Sequence, residues 1–360
     1  MHSLMRRAWV DVDLGALLYN ATTIAEQAGV PLLPMVKADA YGLGAVAVAR
    51  ALDTLEPWGF GVATVAEGEE LRRVGITRPI VVFTPLLVGD FDIAVRADLT
   101  PTLGTRESIV QWSDTERPWQ LAIDTGMNRA GVPWDAVASL RDVLATHRPQ
   151  GAFTHFHSAE RNDATRALQE ERFAAALDQI PVRPPMIHAE NSPAIEHRGP
   201  SPWSVVRPGV FLYGVSSGNS AAIAPRPVVS LQARVVELRT VAAGETVSYG
   251  GTYRAPTDRR IATLAIGYGD GYRRVFGNRA SVLVHGRRVP VVGMVTMDMT
   301  MIDVTNVRCQ IGDAVTLLGA DGDDCIDLME LATTGEMSPY ELLTGLRGRL
   351  PRRYVNASDA

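Results

Sequence analysis

Eight short apolar runs, most of them separated by alanine- and leucine-rich stretches, constrain this chain more than any other feature. The runs are PLLPMV (31–36), GFGVAT (59–64), PIVVF (79–83), DLTPTL (98–103), WQLAID (119–124), GAFTHF (151–156), PMIHA (185–189) and SVVRPGVFLYG (204–214). Between them, segments such as VASLRDVLATH (137–147) and ATRALQEERFAAALDQI (164–180) carry apolar residues at helical spacing. Strands joined through helices can pair in parallel, because the helix supplies the crossover that a short hairpin turn does not. Eight of them is the count of a (β/α)8 barrel. An open doubly wound sheet is the alternative, but no GxGxxG follows a first strand.

The texture changes after Pro227. VVSLQARVVELRTV, IATLAIG, ASVLVHGRRVPVVGMVTMDMTMIDV and DAVTLLG are β-rich, alternate in polarity and are punctuated by glycine. The expected fold class is therefore α/β plus all-β. A TIM-type (β/α)8 barrel is expected over residues 1–226 and a mainly β-strand domain over 227–360. With 46% apolar and 21% charged residues, two cores can be filled and disorder is excluded.

The net charge of −5 leaves no basic excess for nucleic acid or an anionic membrane. The most apolar stretch, IVVFTPLLV, is nine residues long and contains proline, so no transmembrane helix is expected. Two cysteines, Cys309 and Cys325, make no disulfide framework and fit a reducing cytoplasm. The opening MHSLMRRAWVDVD reaches Asp11 and Asp13 before any apolar segment, which argues against a signal peptide.

Barrel enzymes carry their chemistry at the carboxyl ends of the strands. The polar residues there are Lys37, Thr84, Asp124, His155 with His157, His188 with Asn191 and Ser192, and Arg207. A lysine at an apolar rim is desolvated toward its neutral amine, which can attack an aldehyde. The commoner role of such a lysine is to reach out to water. Asn191 and Ser192 could open a phosphate-binding helix or simply cap it, and Gly209 and Val210 offer backbone N–H groups. The H-x-H pair His155 and His157 has metal-ligand spacing, but also suits hydrogen-bonded histidines beside Arg207. In the second domain, LAIGYGDGYRR carries Tyr268, either an acid–base group or an apolar rim residue.

Eight segments, in order, resemble the bacterial alanine racemases: PMVKADAYGLG, IDTGMNRAG, HAENS, VVRPGVFLYG, VSYGGTY, IGYGDGYRR, GMVTMDMTMIDV and YELLTGLRGRLPRRY. The resemblance spans nearly the whole chain. It implies a fold-type III enzyme using pyridoxal 5'-phosphate, working in the cytoplasm as a head-to-tail homodimer and supplying D-alanine for peptidoglycan. By this resemblance Lys37 holds the cofactor and is one catalytic base, and Tyr268, from the partner subunit, is the other. Arg207 faces the pyridine nitrogen and His155 hydrogen-bonds Arg207. Tyr41, Ser192, Gly209, Val210 and Tyr354 match phosphate-binding positions. Arg129 and the Met297 backbone match the grip on the substrate carboxylate, and Tyr249 lies in a segment that lines the entrance.

Two departures stand out. Many members have lysine two residues before the Asp of DTGM, where this chain has Ala122, so Arg129 loses that brace. Thr296 stands where many have cysteine. The implied chemistry is self-consistent. Racemisation needs bases on opposite faces of a planar centre, and an arginine will not give its proton to a ring nitrogen. The alternatives are a racemase of serine or another small amino acid, a fold-type III decarboxylase, a non-catalytic carrier of the cofactor, and a metal-dependent barrel hydrolase built on the H-x-H pair.

Overall fold

The computed structural model describes residues 6–161, 163–218 and 221–356. The first five residues of the segment read against a signal peptide, and the outermost residues of the two expected domains, lie outside them. Two compact units are present, one of residues 17–40 and 45–226, the other of residues up to 16, 41–44 and 227 onward.

The chain starts with strand β1 (Ala8–Asp13) and helix α1 (Leu14–Ala28). The first unit is then organised around a curled parallel sheet. Its strands are β2 (Phe60–Val62), β3 (Ile80–Val82), β4 (Thr100–Leu103), β5 (Gln120–Asp124), β6 (Val132–Pro133), β7 (Gly151–Phe153) and β8 (Met186–His188). The order is β2-β3-β4-β5-β7-β8, with the two-residue β6 beside β5. Six of the eight apolar runs thus become sheet strands. The first and last do not form ladders. They make single parallel bridges, Leu32 with Val206, Met35 with Gly61 and Asn191 with Arg207. Pro31, Pro34 and Pro208 explain this locally, since proline has no N–H to donate. The tail of the last run, Val210–Tyr213, is a 3-10 turn rather than strand.

Leu33, Val81, Met186 and Val205 pack as one buried cluster, with Trp58 and Phe83 against it. These residues come from the first run, β3, the start of β8 and the last run, so the inner face of the sheet is curved enough to share one core. Helices cover the outside, and several are started by local chemistry. Thr64 and Glu67 form a capping box on Val65–Arg73.

The second unit is built on the thirteen-residue strand β9 (Val229–Val241). Antiparallel neighbours of β9 are β1, Arg259–Leu264 and Ala314–Asp321. The expectation that the N-terminal strand belongs with the barrel needs correction. β1 pairs antiparallel with β9 and parallel with Arg352–Val355, so backbone hydrogen bonding assigns the N-terminal strand to the strand-rich unit. Its alternation of buried and half-buried residues suits either sheet, and only the pairing decides.

Candidate active site

Lys37 follows Val36, whose N–H donates to Gly61 O at 2.9 Å, so the lysine stands where the first run meets β2. It is half-buried, and its ammonium is disfavoured by burial and then by Arg129 and Arg207, while Glu67 acts the other way. The segment Lys37–Gly42 is helical by its hydrogen bonds, yet Ala38, Asp39, Ala40 and Tyr41 have φ of 53°, 56°, 51° and 57°. Four consecutive residues with a Cβ are left-handed, at about 1–2 kcal/mol each.

Arg207 is the electrostatic centre of this unit. It is 3% exposed, and its guanidinium makes four contacts, all to neutral acceptors. Nη1 donates to Nδ1 of His188 at 2.7 Å. Nη2 donates to Thr154 O at 2.8 Å, Ala189 O at 3.0 Å and His155 Nδ1 at 3.3 Å. Phe83 and Phe153 lie against the guanidinium at 5.8 and 5.4 Å from their centroids. Burial pulls the Arg207 pKa down to about 9, with Glu190 opposing and Arg129 adding to the shift, which leaves it cationic at neutral pH.

The histidines answer to this charge. His155 is pushed down to about 3, first by burial and then by Arg207, Arg129 and Lys37. His188 is fully buried and also well below its ordinary range, through burial and Arg207. Both rings are therefore neutral, with Nδ1 free to accept from Arg207. His188 Nε2 faces Gln120 Oε1 at 3.4 Å, and its ring stacks on Phe153 at 5.1 Å. His157 points elsewhere and pairs through Nδ1 with Ser158 Oγ at 2.8 Å. The H-x-H pair thus serves two different networks rather than one metal position.

These depressed values predict a pH effect on stability. A base whose folded pKa lies below its unfolded value destabilises the fold as pH drops through the unfolded value, because only the unfolded chain takes the proton. Stability is expected to fall from about pH 6.5 toward the folded value near 3. Removing one such group by His155→Gln should flatten the slope of unfolding free energy near pH 5.5 by about 1 kcal/mol per pH unit. Urea melts at several pH values would measure it, and an unchanged slope would contradict a neutral buried His155.

The phosphate candidates of this unit do converge. Asn191 caps Ser192–Glu196 by accepting from Ala194 N at 3.3 Å. Ser192 Oγ accepts from Gly209 N at 2.8 Å and Phe211 N at 3.4 Å, which brings Ser192, Gly209 and Val210 together. The Gly209 amide is thus given to the serine hydroxyl here. Arg129 follows a turn held by Asp124 Oδ1, which accepts from Gly126 N at 2.9 Å and Asn128 N at 3.1 Å. The Arg129 side chain is exposed and makes no hydrogen bond or ion pair with the described residues. Ala122 is buried and offers only a methyl group.

The remaining candidates belong to the strand-rich unit. Tyr354 Oη donates to Leu43 O at 3.2 Å, and a Cβ at Gly44 would lie 2.0 Å from that hydroxyl. Tyr41, beside them in sequence, has its hydroxyl pKa raised by burial and by Tyr340. Tyr268 and Met297 are neighbours. Tyr268 N donates to Thr296 O at 2.9 Å and Gly269 N to Met297 O at 2.8 Å. Tyr249 is 74% exposed, on its own turn.

Three kinds of residue escaped the motif reading. Gln120 is fully buried behind His188, and a glutamine inside the apolar run WQLAID was its visible signal. Gln169 donates to Thr125 Oγ1 and His155 O and accepts from His157 N, bracing the histidine segment from a helix with no distinguishing pattern. Glu67 had a signal in the T-x-x-E spacing from Thr64.

Comparison with known proteins gives the family. Residues 12–217 match the alanine racemase N-terminal domain and residues 228–354 the alanine racemase C-terminal domain. An alanine racemase of Geobacter sulfurreducens is 37% identical, with 97% of each chain covered. The crystal structure of alanine racemase from Bacillus anthracis with bound L-Ala-P superimposes with a TM-score of 0.91 at 32% identity, covering 98% of this chain and 96% of that one. The alanine racemase from Bartonella henselae with covalently bound pyridoxal phosphate gives 0.90 at 27% identity, covering 97% and 99%. Both domain matches, in order and over nearly the whole length, place this chain in the alanine racemase family.

Proposed function

We propose that this protein interconverts L- and D-alanine with pyridoxal 5'-phosphate as its cofactor. The observation that carries the reading is Lys37: an amine at the end of the first run, held toward its neutral form by burial and two arginines. The donor set fits the cofactor. Lys37 would hold its aldehyde carbon, and the buried Arg207, whose described partners are all neutral, has charge to offer a ring nitrogen. Ser192, Gly209, Val210, Tyr41 and Tyr354 would serve its phosphate. When bound, the cofactor supplies a conjugated ring that takes up the electron pair left at Cα.

The residues of the chain do the rest. Arg129 and the Met297 backbone bind the substrate carboxylate. Lys37 takes a proton as the neutral amine, or returns one as the ammonium, on one face of Cα, and Tyr268 takes one as phenolate, or returns one as the phenol, on the other. His155, neutral, keeps Arg207 oriented without competing for the proton. Lys37 and Tyr268 lie in different units of the chain, which suits delivery of the tyrosine by a second copy in a head-to-tail homodimer. The bridges from Leu32 to Val206 and from Met35 to Gly61 support closure of the curled sheet into a (β/α)8 barrel. The strand-rich unit then contributes Tyr268. Among the described residues no helix is long and apolar enough to cross a membrane, and both cysteines are free thiols. These features suit an enzyme of the cytoplasm supplying D-alanine to peptidoglycan.

Ala122 is the reason to test serine beside alanine, because an unbraced Arg129 tolerates a shifted carboxylate. Each enantiomer of each amino acid is incubated in heavy water. Optical rotation then reports inversion, and mass spectrometry reports deuterium at Cα. Loss of rotation with deuterium gain for alanine is the expected result. Neither change with either amino acid would overturn the reading.

A further inference from the structure

The left-handed turn after Lys37 is a conformation that residues with a Cβ avoid, so something outside it must hold it. None of Ala38, Asp39, Ala40 and Tyr41 is glycine, the residue that would adopt it freely. Its two ends are fastened by carboxylates. At the far end, Asp39 Oδ1 accepts from Ala45 N at 2.7 Å. At the end next to the lysine, Glu67 Oε1 accepts from Ala38 N at 2.8 Å.

Glu67 does more than that. Its second oxygen accepts from Ala63 N at 2.7 Å and Thr64 N at 3.2 Å, where β2 gives way to the next helix. One carboxylate, 29 residues along the chain from Ala38, therefore ties the residue after Lys37 to the end of the neighbouring strand. Among the described residues Glu67 is also the only anion whose charge acts on Lys37, against Arg129 and Arg207. His155, which feels the charge of Lys37, is itself neutral at neutral pH.

We propose that Glu67 is a positioning residue for Lys37: its carboxylate clamps the strained turn through Ala38 and offsets the two arginines. This rests on the reading of Lys37 as the lysine that holds the cofactor. Three backbone N–H groups converge on the two oxygens of Glu67, and an amide in its place offers one oxygen and turns an NH2 toward donors. Glu67→Gln must therefore release either Ala38 or the pair Ala63 and Thr64, and it also removes the charge. Glu67→Asp keeps the charge but shortens the arm, so it cannot span both ends.

The test follows the attachment of pyridoxal phosphate to the full-length chain by borohydride trapping and peptide mapping, over a range of pH. Wild type should be labelled at Lys37, with a rate that rises with pH to a plateau. In Glu67→Gln the plateau rate should fall at least about tenfold, the rate equivalent of one charge-assisted hydrogen bond. Its midpoint should move to lower pH, because the lysine has lost the anion that favoured its ammonium. Glu67→Asp should restore the midpoint but not the plateau. A purely structural role would lower the melting temperature and leave both parameters at wild-type values. That result in Glu67→Gln overturns the proposal and leaves the role of Lys37 standing. If Glu67→Gln does not fold, Glu67→Asp decides by the same plateau: reduced supports the clamp, unchanged overturns it. Wild-type label at a site other than Lys37 overturns the functional reading and this proposal with it.

Discussion

Lys37→Ala is expected to reduce racemisation by about 10⁴-fold or more in both directions. The substitution removes an acid–base group, whose loss alone is worth about 10²–10⁴ in rate. It removes the cofactor's attachment point at the same time, so the two losses compound. The fold should tolerate the change. The lysine is only half-buried, and Ala38 remains held by Glu67 at 2.8 Å, so the left-handed turn keeps its clamp. Polarimetry on both enantiomers, with a thermal melt as control, measures it. A folded variant that retains more than about a hundredth of wild-type activity would remove Lys37 from the chemistry.

Tyr268→Phe should also cost about 10²–10⁴ in racemisation, with a distinguishing asymmetry elsewhere. Enantiomers have equal free energy, so kcat/KM must fall by the same factor in each direction, and net turnover cannot reveal which base was lost. Exchange of the α-proton can. We assign the α-proton of L-alanine to Tyr268 and that of D-alanine to Lys37; with Lys37 intact, D-alanine should then still take up deuterium from heavy water without inverting, whereas L-alanine should lose exchange. The variant removes only a hydroxyl from a turn held by other groups. Asp270 Oδ2 accepts from Gly267 N at 3.0 Å, and its Oδ1 pairs with Arg7 at 2.7 Å and Arg349 at 3.2 Å. A Cβ at Gly267 would lie 2.2 Å from Thr296 O, so the approach of these two segments depends on glycine. Undiminished exchange into L-alanine, or small equal losses of exchange for both enantiomers, would overturn the assignment.

These two residues were visible in the sequence because their motifs are local. PMVKADAYGLG and IGYGDGYRR each carry a reactive side chain beside the glycines that let the backbone turn tightly. Arg207 was visible in the same way, and the resemblance set His155 beside it, but the rest of its setting was not visible. The ring of neutral acceptors around it comes from Thr154, His155, His188 and Ala189, up to 53 positions away. His188 in particular reads in the sequence as a strand-end polar group or a metal ligand. Buried beside a guanidinium that is cationic at neutral pH, it is a neutral acceptor.

The same division holds for the fold. Apolar runs and helical spacing were enough to identify a parallel α/β unit followed by a strand-rich one, because side-chain periodicity is a local property of the backbone. Motif order along the chain likewise determined the family, and it singled out the lysine proposed to carry its chemistry. Tertiary structure alone decided that β1 leaves the first unit to pair with β9 and with strand Arg352–Val355. It alone decided that a glutamate on a neighbouring helix holds the turn beside Lys37. Hydrogen bonds between distant segments depend on where the folded chain brings donors and acceptors together, and no window of sequence contains both.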